Sequence, residues 1–180
     1  VQPFFNAPEL LPLDNIDAIV LTHAHVDHIA MLPVLFRYGY RGPVYCTPPT
    51  RDLMTLLQMD YIKVAQAEGA EPPYSRADIQ ECIKHVVDIQ WGDKTDIAPD
   101  VKITMENAGH ILGSSSIYMQ IGEGSSEHRL LFSGDIKYER SWLFDAATVR
   151  FPKVETLVIE STYGGPQDFQ PNRSDATQEL

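Results

Sequence analysis

Residues 23–28 read His23-Ala24-His25-Val26-Asp27-His28, and they follow the apolar run Ile16-Asp17-Ala18-Ile19-Val20-Leu21-Thr22. Half of the chain's six histidines stand in this one hexapeptide, with a carboxylate among them. Imidazole nitrogen and carboxylate oxygen are the ligand types that hold zinc and other borderline divalent metals at neutral pH. A strand ending in such a loop sets its ligands at the edge of a sheet, where a pocket can form. The spacing favours two ions over one. His23 and His25 lie two residues apart and project alike from extended backbone. Asp27 and His28 come where the chain turns into a helix, expected over Ile29 to Tyr38, which swings them to another side. One tetrahedral ion cannot easily take four ligands from six consecutive residues, whereas two neighbouring ions can share them. A chance histidine cluster on a solvated loop is the plainer alternative, and for an isolated His-x-His pair it would be preferred.

Two further segments carry the same chemistry. Gly109-His110-Ile111-Leu112-Gly113 follows the strand-like stretch Val101 to Met105. Its flanking glycines let backbone approach a ligand closely while His110 projects from a tight turn. Leu130-Leu131-Phe132-Ser133-Gly134-Asp135 is an apolar strand closed by a carboxylate, well placed to bridge two cations at the same sheet edge. Taken singly, His110 and Asp135 are equally well read as turn residues. Three such strand ends in one chain weaken that reading.

With these residues the chain resembles the metallo-β-lactamase fold hydrolases. His23, His25, Asp27 and His28 match that family's second motif, His110 its third and Asp135 its fourth. The strand Val154 to Ile159 ends in Glu160-Ser161-Thr162-Tyr163-Gly164, which looks like the first signature of the β-CASP nucleic-acid-processing branch, with Glu160 as its acidic residue. The stretches Tyr38 to Thr47 and Arg51 to Met54 resemble the archaeal cleavage and polyadenylation specificity factor proteins more than bacterial RNase J.

The resemblance implies an α/β (α+β) fold, the metallo-β-lactamase αββα sandwich, incomplete here at both ends. It implies two Zn2+ ions, the first held by His23, His25 and His110, the second by Asp27 and His28, with Asp135 shared. Zinc is preferred over iron or manganese because the ligand set is rich in histidine. Asp27, Asp135 and Glu160 are the carboxylates expected to serve catalysis. Glu160 is expected to act indirectly, by fixing a late histidine that this chain lacks, and a plain strand-end carboxylate is its alternative. The implied activity is zinc-dependent endonucleolytic hydrolysis of RNA phosphodiesters, in transcript 3′-end processing or transcription termination. Two other classes stay open: a non-catalytic scaffold subunit of an RNA-processing complex, and a small-molecule hydrolase of the glyoxalase II or lactamase kind.

At 180 residues and 43% hydrophobic, the chain can bury one good core but is short for a two-domain enzyme. Residues 1–180 are expected to be the N-terminal part of a metallo-β-lactamase domain, with a β-CASP insertion after 180 and KH domains before 1. Val1-Gln2-Pro3-Phe4-Phe5 reads as the middle of a connection, and Asp175 to Leu180 as a helix just begun. No histidine follows His128, so the second ion is expected to lack a ligand and the chain alone to be inactive or nearly so. The net charge of −11 repels phosphate over most of the surface. RNA is therefore expected to be held mainly by regions outside this chain, in a protein that can form homodimers. No apolar run reaches membrane-spanning length and no basic-plus-apolar leader opens the chain. Cys46 and Cys82 read as core thiols of a reduced compartment, and a cytoplasmic location is expected.

The coarse pattern alternates strands and helices. A strand over Asp17 to Leu21 precedes the helix at 29–38, with Pro33 near its first turn. Val44 to Thr47 is a short strand, and Pro48-Pro49-Thr50 opens a long helix to about Glu68, ended by Gly69. Ser75 and Asp78 form a capping box for a helix with Ile79, Cys82, Ile83 and Val86 on its apolar face, handing over to a strand near His85. Strands follow at 101–106, 116–121, 129–134 and 154–159, with Gly122 to Ser126 as a hairpin loop. His85 and His128 are expected to be surface or structural residues.

Overall fold

A computed structural model describes residues 11–168. The readings made on Val1 to Phe5 and on Asp175 to Leu180 lie outside the described residues. In chain order the elements are β1 (Ile19–Val20), α1 (Val26–Ile29), α2 (Leu32–Arg37), β2 (Val44–Cys46), α3 (Pro48–Ala67), α4 (Arg76–Lys84) and β3 (Val86–Asp88). Then come β4 (Lys94–Ala98), β5 (Val101–Asn107), β6 (Ser115–Ile121), β7 (His128–Phe132) and β8 (Thr156–Val158).

The first three strands form a parallel sheet in the order β1-β2-β3, and helices supply both crossovers, as parallel pairing requires. One face of this sheet packs against those helices through Leu21, Ile29, Phe36, Val44, Cys46, Met54 and Cys82. Both cysteines are buried and free, in keeping with core thiols. The remaining strands form a five-stranded sheet, β4-β5-β6-β7-β8, antiparallel except for the β7–β8 pair. Its Ile103, Met105 and Ile117 meet Val20 and Tyr45 of the first sheet, so the two sheets lie face to face around an apolar layer. The outer face of the larger sheet is covered in part by coil, where Phe151 stacks on Tyr118 at 6.3 Å. The fold is thus the expected sandwich of two sheets with helices, and no helix among the described residues is long and apolar enough to cross a membrane.

The helix expected over 29–38 is two helices, and the break has a covalent cause. Pro33 has no N–H, and its ring collides with the carbonyl of the residue four earlier, Ile29. The chain therefore ends α1 at Ile29 and restarts at Leu32, with Pro33 in the first turn of α2. The Ile29 carbonyl, left without its intrahelical donor, accepts instead from Gln58 Nε2 of α3 at 2.9 Å. Moreover, α1 begins at Val26 with His25 as its N-cap, three residues before the expected start. Asp27 and His28 consequently sit inside the first turn of α1 rather than ahead of it.

Elsewhere the elements follow the pattern closely. α3 ends beside Gly69 at φ +73°, and the reciprocal bonds between Ser75 and Asp78 cap α4. β4 had no counterpart among the expected strands. Gly122 to Ser126 does join β6 to β7, with one 3-10 turn inside it.

Candidate metal centre

β6 returns between β5 and β7, and β8 runs parallel to β7, so the C-terminal ends of β5, β7 and β8 all emerge at one edge. The C-terminal end of β1 reaches the same edge, where Ser115 N–H donates to Thr22 carbonyl at 2.8 Å and joins the two sheets. The hexapeptide, His110, Asp135 and Glu160 therefore converge although they lie on four separate segments. Gly134 makes the approach possible. At φ +57°, a Cβ there would lie 2.9 Å from Thr22 Cβ, so only glycine lets the Asp135 loop pass the strand end that carries His23.

His23, His25, His110 and Asp135 each place one ligand atom within 4.8 Å of the others. His25 Nδ1 lies 3.1 Å from His23 Nε2 and 3.1 Å from His110 Nε2. Asp135 Oδ2 lies 3.6 Å from His23 Nε2 and 3.5 Å from His110 Nε2. A tetrahedral ion with bonds of about 2.0–2.1 Å spaces its ligand atoms about 3.4 Å apart, so these four atoms fit such an ion. Hydrogen bonding alone accounts for the cluster less well. A ring nitrogen offers one lone pair or one hydrogen, yet His25 Nδ1 faces two nitrogens at the same distance.

The other carboxylate oxygen points to a second group. Asp135 Oδ1 is 3.7 Å from His28 Nε2, which is 3.4 Å from Asp27 Oδ2. The His28 ring centroid lies 4.1 Å from that of His23, so the two groups are immediate neighbours. Asp27 stands at the open side, with its side chain 79% exposed. Glu160 is not in either group. Its Oε1 accepts the Ile136 N–H at 2.7 Å, which places it beside the Asp135 loop. His85 lies against Phe36 and Glu81, and exposed His128 bonds Thr156, each away from the centre as expected.

Several supporting residues were invisible to motif reading. Thr22 Oγ1 is 3.0 Å from His23 Nδ1, and with Nδ1–H as the donor this contact leaves the Nε2 lone pair free for the centre. Ser114 Oγ accepts the N–H groups of both His110 and Ile111. Asn107 Oδ1 accepts the Gly109 N–H, and its amide donates to the Ala146 carbonyl. Only Thr22 had a sequence signal, as the last residue of the strand before the histidines.

Burial, followed by the neighbouring His28, His25 and His110, drives the His23 pKa from 6.5 to about 3. His110 is lowered too, by burial against an opposing pull from Asp135. Both rings are therefore neutral at pH 7, the form that binds metal. The unfolded chain takes up a proton at His23 near pH 6.5 that the folded chain refuses until about pH 3. Stability from this residue is complete above pH 6.5 and falls as pH drops through that value. In metal-free protein, the loss is expected to be about 1 kcal/mol for the first pH unit below 6.5. Urea midpoints between pH 7.5 and 5.5 in the presence of chelator check this. Profiles of equal slope for wild type and His23→Gln would remove His23 as the cause.

The family described as the beta-lactamase superfamily domain matches residues 1–178. The chain belongs to it. In this superfamily the members are mostly metal-dependent hydrolases. The chain is 52% identical over 178 residues to "Transcription termination factor FttA" of Methanothermobacter thermautotrophicus, covering 99% of this chain and 28% of that protein. It is 53% identical over 178 residues to the protein of the same name from Methanocaldococcus jannaschii, with the same coverage. The chain thus spans little more than a quarter of these relatives' length. It also aligns with a solved B3 metallo-β-lactamase at 20% identity and a TM-score of 0.44, covering 72% of this chain and 46% of that one.

Proposed function

We propose that this segment is the metal-binding core of a two-metal RNA phosphodiesterase within a longer transcription-termination protein. The observation that carries the proposal is the division of labour at Asp135. Its Oδ2 faces the group of His23, His25 and His110, and its Oδ1 faces the group of His28 and Asp27. In this reading three imidazoles hold one ion, Asp27 and His28 hold the second, and Asp135 is common to both. When bound, such a pair lowers the pKa of water from 15.7 toward about 7 and offsets negative charge gathering on a phosphate. The buried side of the centre, with His23 fully enclosed, fixes ligand orientation through Thr22. The exposed side, at Asp27, leaves room for a polymer to approach.

RNA as substrate is supported by the name of the relatives, transcription termination factor. With 25 acidic against 14 basic residues, this segment would contribute little to holding a polyanion. The proposal accordingly assigns RNA affinity, and any homodimer contact, to a β-CASP insertion after residue 180 and to KH domains before residue 1. A cytoplasmic location belongs to the same reading. The test is elemental analysis of the full-length polypeptide alongside cleavage of end-labelled RNA. Two zinc ions per chain and cleavage that chelator abolishes and zinc restores are expected. A full-length protein that binds no metal would leave a scaffold instead, and metal with hydrolysis of thioesters but not RNA would leave a small-molecule hydrolase.

A further inference from the structure

We propose that Glu160 is a positioning residue that grips the Asp135 loop from both sides and so governs the ion held by Asp27 and His28 more than the one held by three histidines. The inference rests on the proposed reading of Asp135 as the shared ligand.

The grip is visible bond by bond. Ahead of Asp135, the Glu160 N–H donates to Ser133 Oγ at 3.1 Å, and that hydroxyl in turn donates to the Gly134 carbonyl at 2.6 Å. Behind Asp135, the Ile136 N–H donates to Glu160 Oε1 at 2.7 Å. Ser133 is further fixed by its own N–H to the Val158 carbonyl at 2.9 Å and by Ser116 Oγ to its carbonyl at 2.8 Å. The segment from Ser133 to Ile136 is thus held on both flanks by one residue at the end of β8, while the Asp135 side chain faces His23, His110 and His28. No other side chain among the described residues bonds the Ile136 N–H, so removing the Glu160 carboxylate would move the downstream tie from Ile136 back to Lys137, whose N–H donates to the Ala108 carbonyl at 2.9 Å.

The two ion groups should feel this unequally. Without a well-placed Asp135, the first group still has His23, His25 and His110 within a common sphere. Of this chain's own residues, the second group would keep only Asp27, which is largely exposed, and His28. Outer hydrogen-bond partners of metal ligands commonly alter affinity by 10- to 100-fold. That range is the expected loss for the second ion, with the first nearly unchanged.

Glutamine and aspartate separate reach from charge. Glu160→Gln keeps a carbonyl oxygen where Oε1 stands, so it retains the Ile136 bond without the charge. Glu160→Asp keeps the charge but withdraws the oxygen by about one C–C bond, about 1.5 Å, and breaks a 2.7 Å contact. The experiment is zinc titration of metal-free full-length protein against a chromogenic chelator, for wild type, both variants and Asp135→Ala, with thermal melts in parallel. Wild-type affinity at both sites in Glu160→Gln, with a second site weakened at least 10-fold in Glu160→Asp, is the expected result. Equal second-site affinity in all three proteins, or equal weakening by both substitutions, would overturn the positioning role. If Asp135→Ala itself binds two ions at wild-type affinity, the shared-ligand reading fails first, and the result for Glu160 is then read separately.

Discussion

Full-length protein carrying Asp135→Ala is expected to lose the proposed metal-dependent RNA cleavage by on the order of 10^3-fold or more. The size follows from what the residue touches. Its two oxygens approach His23, His110 and His28 at 3.5–3.7 Å, so one substitution removes a ligand from both proposed ions. Asp135 also supplies negative charge between four imidazole rings, and without it two cations would sit at close range with only Asp27 to offset them. A barrier rise of several kcal/mol is a modest outcome for that loss, and each 1.36 kcal/mol is tenfold in rate. Single-turnover cleavage at saturating RNA and saturating zinc checks the prediction, with elemental analysis to count the ions that remain. Cleavage within a few-fold of wild type would rule out the bridging role, because added zinc cannot restore a missing ligand.

Gly109→Ala should be the most damaging change at a residue with no ligand atom. At φ +69° an alanine would pay about 1–2 kcal/mol for left-handed backbone alone. Its Cβ would also lie 2.7 Å from Ala147 N, 2.8 Å from Lys137 carbonyl oxygen and 2.9 Å from Asp145 carbonyl oxygen. These are backbone atoms of the segment that follows Asp135, and they are tied by bonds from Lys137 N–H to Ala108 carbonyl and from Ala147 N–H to Lys137 carbonyl. Relief can come only by pushing the His110 turn and the Asp135 segment apart. A stability loss of at least about 2 kcal/mol is expected, together with release of metal from the three-histidine group. Chemical denaturation and zinc content of the full-length variant test both halves. A variant that unfolds at the wild-type midpoint with its metal complete would mean the contact is not rigid.

How legible the centre was depended on where each bond partner lay in the chain. The hexapeptide was readable because its ligands are adjacent in sequence and behind an apolar strand. His110 and Asp135 were readable because each closes a strand of strong β character, and β5 and β7 did form there. β4 has no strong sequence signal because Lys94 to Ala98 is largely polar, has no fully buried residue and is interrupted by a bulge between Asp96 and Ala98. It pairs only because β5 offers an edge. The helix break was missed because Pro33 was read as an early-turn residue of one helix, whereas the carbonyl it orphans lies in another. Gln58, Thr22, Asn107 and Ser114 are ordinary polar residues whose tasks exist only once distant segments meet. For Glu160, the resemblance points to a histidine outside the chain, and among the described residues its carboxylate also accepts a backbone N–H 24 residues earlier and bonds Thr162.

His25 and His110 touch across 85 residues of chain, and a backbone bond that joins the sheets beside them spans from Thr22 to Ser115. Closing so long a loop is entropically costly and is repaid only after both sheets exist. The histidines of the early part of the chain are therefore expected to meet His110 and Asp135 late, once both sheets have formed. A metal ion can reward this architecture at the end of its assembly but cannot guide the beginning of it. On the proposed reading, the hexapeptide would gain selectivity for an ion only when the second sheet brings His110 and Asp135 beside it.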